Sequence, residues 1–246
     1  MNAQAVRAGR AAKLAIACVS LLGVGVDFGI AKTLGSSLNS LAYFTVQSNL
    51  IVAAVCLYGA FARTKGPAYA ALRAGATLWI LVTGLVFAAF LASHFGFKGL
   101  RGYSNIALHY VVPIAVLLDW LLLEPKGTLR LRHALYWIAY PFAYVVASLL
   151  RGAIDRFYPY WFLDPTRRFP EGIGGYGTMA LFVLGLFIFF GALGLGLVGI
   201  DRALASRGAG DDRARLQFSP RAGTVTGRSV RGRHRRHCPG EDERAR

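Results

Sequence analysis

Four polar side chains crowd five consecutive positions, Thr45-Val46-Gln47-Ser48-Asn49, inside the apolar run LAYFTVQSNLIVAAVCLY. On a helix, Thr45, Ser48 and Asn49 fall at i, i+3 and i+4 and share one face, whereas Gln47 points elsewhere. Polar groups inside a membrane span cost free energy unless they pair or line a cavity, which makes this knot a candidate site. The same residue types also serve as glue between helices. The second candidate is His109, four residues before Pro113. A proline at that spacing cannot donate to the carbonyl of residue 109 and kinks the helix beside the imidazole. A hydroxyl beside a histidine beside a carboxylate is the arrangement of an activated nucleophile. The base takes the hydroxyl proton and a third group fixes the base.

The elements that must position these groups are apolar stretches. Hydrophobic residues make up 55% of the 246 positions and charged residues only 16%, many of them near the carboxy terminus. About 20 consecutive apolar residues cross a hydrocarbon core of about 30 Å. Such runs are expected at Leu14–Ala31, Leu41–Tyr58, Ala70–Phe95, Asn105–Leu123, His133–Leu150 and Gly177–Ile200. The chain therefore reads as an all-α polytopic membrane protein with six transmembrane helices. Residues 1–13 form a basic start, 14–200 the membrane domain and 201–246 a basic tail read as disordered for want of periodicity. The first span resembles a signal peptide in outline, but Asp27 follows the apolar run and no small-x-small cleavage site is evident, so an uncleaved helix is expected. A Gly/Ser/Asn turn at 35–40 separates the first two spans. In the long segment 151–176, the run Tyr158-Pro159-Tyr160-Trp161-Phe162 has the composition of a membrane-interface aromatic cluster. Cys18, Cys56 and Cys238 form no framework and read as packing residues, with neither disulfide nor metal expected.

The net charge of +16 invites a nucleic-acid reading, but its distribution explains it better. Most of the 28 Lys and Arg fall in the start, the second and fourth interhelical segments and the tail. By the positive-inside rule both termini are then cytoplasmic, in the plasma (inner) membrane, and the tail lies against anionic lipid. In this topology the second and fourth spans run in the same direction. Thr45 and His109 each sit about four residues in, roughly 6 Å below the outer end of their helix. Asp27, His94 and Asp155 belong to the same level, and each is a candidate to support His109. Asp119 lies about 15 Å further along and cannot orient that imidazole.

The stretches Phe44-Thr45-Val46-Gln47-Ser48-Asn49, His109-Tyr110-Val111-Val112-Pro113 with Asp119-Trp120, and Tyr140-Pro141 with Tyr158-Pro159-Tyr160-Trp161-Phe162-Leu163-Asp164 resemble the bacterial Pr-six-Pr membrane proteins. That group looks like a distant branch of the androgen-induced and androgen-dependent membrane hydrolases. The resemblance covers roughly residues 12–200. It implies a multi-pass hydrolase with a membrane threonine nucleophile and a histidine partner, acting on fatty acid esters of hydroxy fatty acids. Those roles fall on Thr45 and His109. In the eukaryotic pattern the proline lies one residue further beyond the histidine, and Gln-Ser-Asn after the threonine is a bacterial feature.

The expected function is a lipid (fatty-acyl ester) hydrolase. Thr45 attacks, and His109 acts as base and then acid. Ser48, Asn49 or backbone N–H groups stabilise the oxyanion, and Asp27 or Asp155 orients His109. No cofactor or metal is required. Two other classes remain open: a non-catalytic lipid-binding or helper protein in which the polar knot is glue, and a small transporter. Haem between His94 and His109 is disfavoured, because bundles that hold two haems repeat the pair at a second depth, where only His133 is available.

Overall fold

The computed structural model of the chain describes residues 3–30, 33–62, 64–94, 96–169 and 171–218. Among them there are helices and no strands. In chain order these are α1 (Ala3–Ile30), α2 (Leu34–Ser40), α3 (Phe44–Phe61), α4 (Pro67–Val86), α5 (Gly99–Ile106), α6 (Val112–Leu123), α7 (Leu131–Asp155) and α8 (Tyr176–Phe218). The described residues supply six helices long and apolar enough to cross a membrane: Val6–Ile30, Phe44–Phe61, Pro67–Leu91, Gly99–Leu123, Leu131–Asp155 and Tyr176–Arg207. Two of these stretches contain a wider turn with i→i+5 bonding. One follows α4 at Phe87–Leu91, and the other joins α5 to α6 at Ala107–Val111.

Several boundaries differ from the sequence reading. The basic start is helical from Ala3, because Ala, Arg and Lys are strong helix formers and the first span simply extends into them. The segment 35–40 is a short helix rather than a turn: the Thr33 hydroxyl accepts from the Ser36 N–H at 3.1 Å, and the Ser36 hydroxyl oxygen accepts from the Thr33 N–H at 3.0 Å. The last helix does not stop at Ile200. Asp201, 1% exposed, accepts from the N–H groups of Gly127 (3.0 Å) and Leu129 (2.9 Å), which fixes the α6–α7 connection. The helix then continues to Phe218, so residues 201–218 are helical rather than aperiodic; 219–246 lie outside the described residues. The chain forms two units, Met1–Ala209, which holds the bundle, and Gly210–Arg246.

α3 lies between α1 and α4, and α4 reaches both α6 and α7. Two indoles tie α4 to α7. Trp79 donates to the carbonyl of Trp137 and Trp137 to that of Ala71, each at 2.9 Å. α8 meets the bundle through rings, Phe190 against Phe44 and Phe182 against Phe90 and Phe162.

One end of the bundle buries four charges. Lys13 Nζ contacts Asp119 Oδ1 at 3.1 Å and Glu124 Oε1 at 2.9 Å, and Arg73 Nη2 contacts Asp119 Oδ2 at 2.7 Å. Arg73 also donates to Thr77 Oγ1 at 2.8 Å. The sequence reading places Lys13 and Arg73 with the water-facing cations, but they are 2% and 1% exposed and neutralised. Each sits on a helix facing the α6 carboxylates, and a buried cation needs such a partner. Asp119→Ala leaves Arg73 buried without a carboxylate and Lys13 with Glu124 alone. It is expected to cost about 3–5 kcal/mol of stability, read as a lower unfolding midpoint in detergent, whereas Arg7→Ala, on an exposed residue, leaves the midpoint unchanged.

Candidate active site

Thr45 stands in the first turn of α3 and His109 in the wide turn between α5 and α6. Both are buried, 9% and 7% exposed. Thr45 Oγ1 lies 3.1 Å from His109 Nε2, and His109 Nδ1 lies 3.0 Å from the backbone carbonyl oxygen of Asn105. A carbonyl can only accept, so Nδ1 carries the proton and Nε2 presents its lone pair to the Thr45 hydroxyl. Phe87 stacks on the imidazole with ring centroids 3.7 Å apart. The ring is thus held at both nitrogens and on one face.

The wide turn is what aims it. Pro113 has no N–H, so the His109 carbonyl loses its ordinary helical partner. That carbonyl instead lies against α4 at Gly84, where a Cβ would come within 2.6 Å of it and 3.2 Å of Pro113 Cγ. Only the bare glycine lets α4 approach this closely. Wide turns of this kind are often found at functional sites.

The remaining candidates are distributed differently from expectation. Ser48 Oγ and Asn49 Nδ2 both donate to the Thr45 carbonyl, at 3.1 and 2.8 Å. Ser48 also meets Thr83 Oγ1 at 2.9 Å, and Asn49 Nδ2 reaches the Leu108 carbonyl at 3.4 Å. These donors are spent on backbone and on α4, so neither side chain serves as an oxyanion donor in this arrangement. They hold the helix turn that carries Thr45. Gln47 faces α7, accepting from the Tyr140 hydroxyl at 3.0 Å. Asp27 does not touch His109; it accepts from Ser104 Oγ at 2.7 Å, one turn away on α5. Asp155 is exposed and paired with Arg151 at 3.0 Å. The role expected of these carboxylates belongs to the Asn105 carbonyl, because a peptide oxygen one turn back on the same helix is already in reach. The side chain of His94 lies outside the described residues.

The sequence reading missed Tyr160. The segment carrying the cluster 158–162 folds back, Phe162 and Leu163 are buried, and Tyr160 reaches Thr45. Its hydroxyl oxygen lies 3.4 Å from the Thr45 N–H and 3.5 Å from Thr45 Oγ1. Burial pushes the phenol up from its ordinary value, partly opposed by the Thr45 contacts, so it is an O–H donor at neutral pH.

Thr45 lines two cavities. The first, about 70 Å³, is walled by apolar side chains of α4, α7, α8 and the 161–163 turn, including Val86, Pro141, Phe162 and Leu186. It shares Val86 and Leu186 with an outer apolar groove between α4 and α8 of about 460 Å³. The second cavity, about 400 Å³, mixes apolar walls with polar groups and is lined by Asp27, Arg101, Asn105, His109 and Trp161 among others. Two of its residues carry buried N–H groups with no partner among the described residues, Asn105 Nδ2 and Trp161 Nε1. Among the described residues no group of three His, Cys, Asp or Glu is placed to hold a metal ion.

Compared with known proteins, the chain matches no family model, no curated protein and no solved structure.

Gly84→Ala is expected to push the 107–111 turn away from α4 and cost about 1–3 kcal/mol. Thermal unfolding in micelles checks this against Gly185→Ala, whose added methyl meets nothing within 4 Å and leaves the midpoint in place.

Proposed function

We propose that this protein is a membrane esterase that cleaves long-chain fatty-acyl esters with Thr45 as nucleophile and His109 as general base. One observation carries the reading: a buried threonine hydroxyl 3.1 Å from a histidine nitrogen whose tautomer is set by a carbonyl on the other side of the ring. That is the local geometry of an activated nucleophile. The two cavities meeting at Thr45 support an amphipathic substrate, with the acyl chain on the apolar side and the alcohol portion beside Asp27, Arg101 and His109. The resemblance of the FTVQSN, HYVVP and YPYWFLD stretches to the Pr-six-Pr proteins points the same way, toward fatty acid esters of hydroxy fatty acids.

In the first step His109 Nε2 takes the Thr45 Oγ1 proton as Oγ1 bonds to the acyl carbon and the carbonyl electron pair moves onto oxygen. Collapse of that intermediate breaks the bond to the alcohol oxygen, which takes the proton from His109. Water from the second cavity then attacks the acyl-threonine by the same route. It releases the fatty acid and restores Thr45. The helices span the plasma (inner) membrane with both termini cytoplasmic. Lys13 and Arg73 drop out of the charge count, but the excess of arginine after Asp201 keeps that orientation, with the tail against anionic lipid. The site then lies in the outer half of the bilayer, and an acyl chain reaches it sideways through the α4–α8 groove.

A second reading has its own observation. Ser48 bonds across to Thr83 and Asn49 to the Leu108 carbonyl, the helix glue expected for a lipid-binding protein without catalysis. Labelling of detergent-solubilised protein with a long-chain fluorophosphonate separates the two. The esterase reading expects labelling of the wild type, none in Thr45→Ala, and a rate lower by about 10²–10⁴-fold in His109→Ala, all with unchanged gel filtration. Wild-type protein that neither labels nor hydrolyses any long-chain ester, or Thr45→Ala with undiminished turnover, sinks it.

A further inference from the structure

Acyl transfer to Thr45 places negative charge on the carbonyl oxygen, and something must donate to it. The polar neighbours on α3 are occupied: Ser48 and Asn49 donate to backbone carbonyls. The Thr45 N–H, in the first turn of α3, has no helical acceptor and meets the Tyr160 oxygen at 3.4 Å. Because that oxygen accepts there, the phenol's own proton is free to point elsewhere. The nearby reactive atom is Thr45 Oγ1, at 3.5 Å.

We infer that the Tyr160 hydroxyl is the oxyanion donor of this site, delivered by the loop between α7 and α8. The inference rests on the esterase reading. When Oγ1 bonds the acyl carbon, the new oxyanion is only two bonds from Oγ1. A donor 3.5 Å from Oγ1 on the cavity side is then within hydrogen-bond range of it without moving far. No proton is transferred: Tyr160 donates a hydrogen bond to the oxyanion while the Thr45 proton resides on His109. The position is preorganised. The Tyr160 ring stacks on Phe162 with centroids 5.0 Å apart and meets Tyr43 edge-on at 5.7 Å. The residue lines both cavities, so it stands where the acyl carbonyl must lie if the chain and the alcohol part to opposite sides. Tyr160 is therefore a catalytic residue in the strict sense, touching the reacting oxygen.

Tyr160→Phe removes one hydroxyl and keeps the ring packing. With p-nitrophenyl laurate as substrate, the expected result is a kcat lower by about 10²–10³-fold with KM unchanged. Affinity for a long-chain trifluoromethyl ketone, which forms an oxyanion on Thr45, falls by the same factor as kcat/KM. A non-reactive long-chain ether of the same length binds equally well, and the unfolding midpoint stays in place. A purely structural tyrosine would move the ether and the midpoint as well. If the wild type is active, Thr45→Ala inactive and Tyr160→Phe indistinguishable from wild type in kcat and ketone affinity, the oxyanion assignment is overturned and the esterase reading stands. If the wild type has no activity toward any long-chain ester and takes up no fluorophosphonate, both fall together.

Discussion

A bundle of six apolar helices offers its polar side chains almost no solvent, so each must find its partner within the protein or face a cavity. That constraint sorts the molecule into two polar layers. At one level Lys13, Arg73, Asp119 and Glu124 neutralise one another and draw α1, α4 and α6 together. At the other, Thr45, His109, Asn105 and Tyr160 share a chain of hydrogen bonds across α3, the α5–α6 turn and the α7–α8 loop. The two layers differ in an informative way. The charged layer borders a small cavity of about 10 Å³, whereas the hydroxyl–imidazole layer borders one of about 400 Å³. A closed ion cluster is what a fastener requires, and open space beside polar groups is what a substrate requires.

The site depends on a backbone defect more than on any single side chain. An unbroken helix through residues 99–123 would leave the His109 carbonyl bonded to residue 113 and give the imidazole a different azimuth. Proline at 113 forbids that bond, the wide turn at 107–111 absorbs the change, and Gly84 leaves room for the displaced carbonyl. A second wide turn at 87–91 begins at Phe87, the residue that stacks on the imidazole. Two helices therefore bend around one ring. Rotamer freedom of His109 is restricted by packing and by the Asn105 carbonyl, which on the esterase reading leaves little reorganisation for the step in which Thr45 loses its proton.

The six apolar helices and the level shared by Thr45 and His109 were legible because both follow from residue counts along a helix. The pairing of Lys13 and Arg73 with the α6 carboxylates was not, because a hydropathy window counts charges without showing which face they occupy. Asp27 and Asp155 were attractive partners for His109 under the rule that a carboxylate orients the base. The structure uses a peptide carbonyl one turn away, and every residue has one, so no sequence signal marks it. Tyr160 was hidden for another reason. A Tyr-Pro-Tyr-Trp-Phe run fits a membrane interface equally well, and only the fold-back of residues 156–163 brings its middle tyrosine to α3.

On the esterase reading, this return of the loop also explains how the site handles water. Ester cleavage by a covalent route needs a hydrophobic berth for the acyl chain and water for the second half-reaction, two demands that conflict in a single pocket. Here Thr45 and Tyr160 stand together on the partition between an apolar cavity and one that also carries Asp27, Arg101 and His109. A chain held on the apolar side leaves the other side free once the alcohol has departed. Water arriving there meets His109 Nε2 and the acyl carbon from the face the alcohol vacated. The same histidine can then serve both half-reactions without moving, which is what a ring pinned at Nδ1 and stacked on Phe87 is built to do.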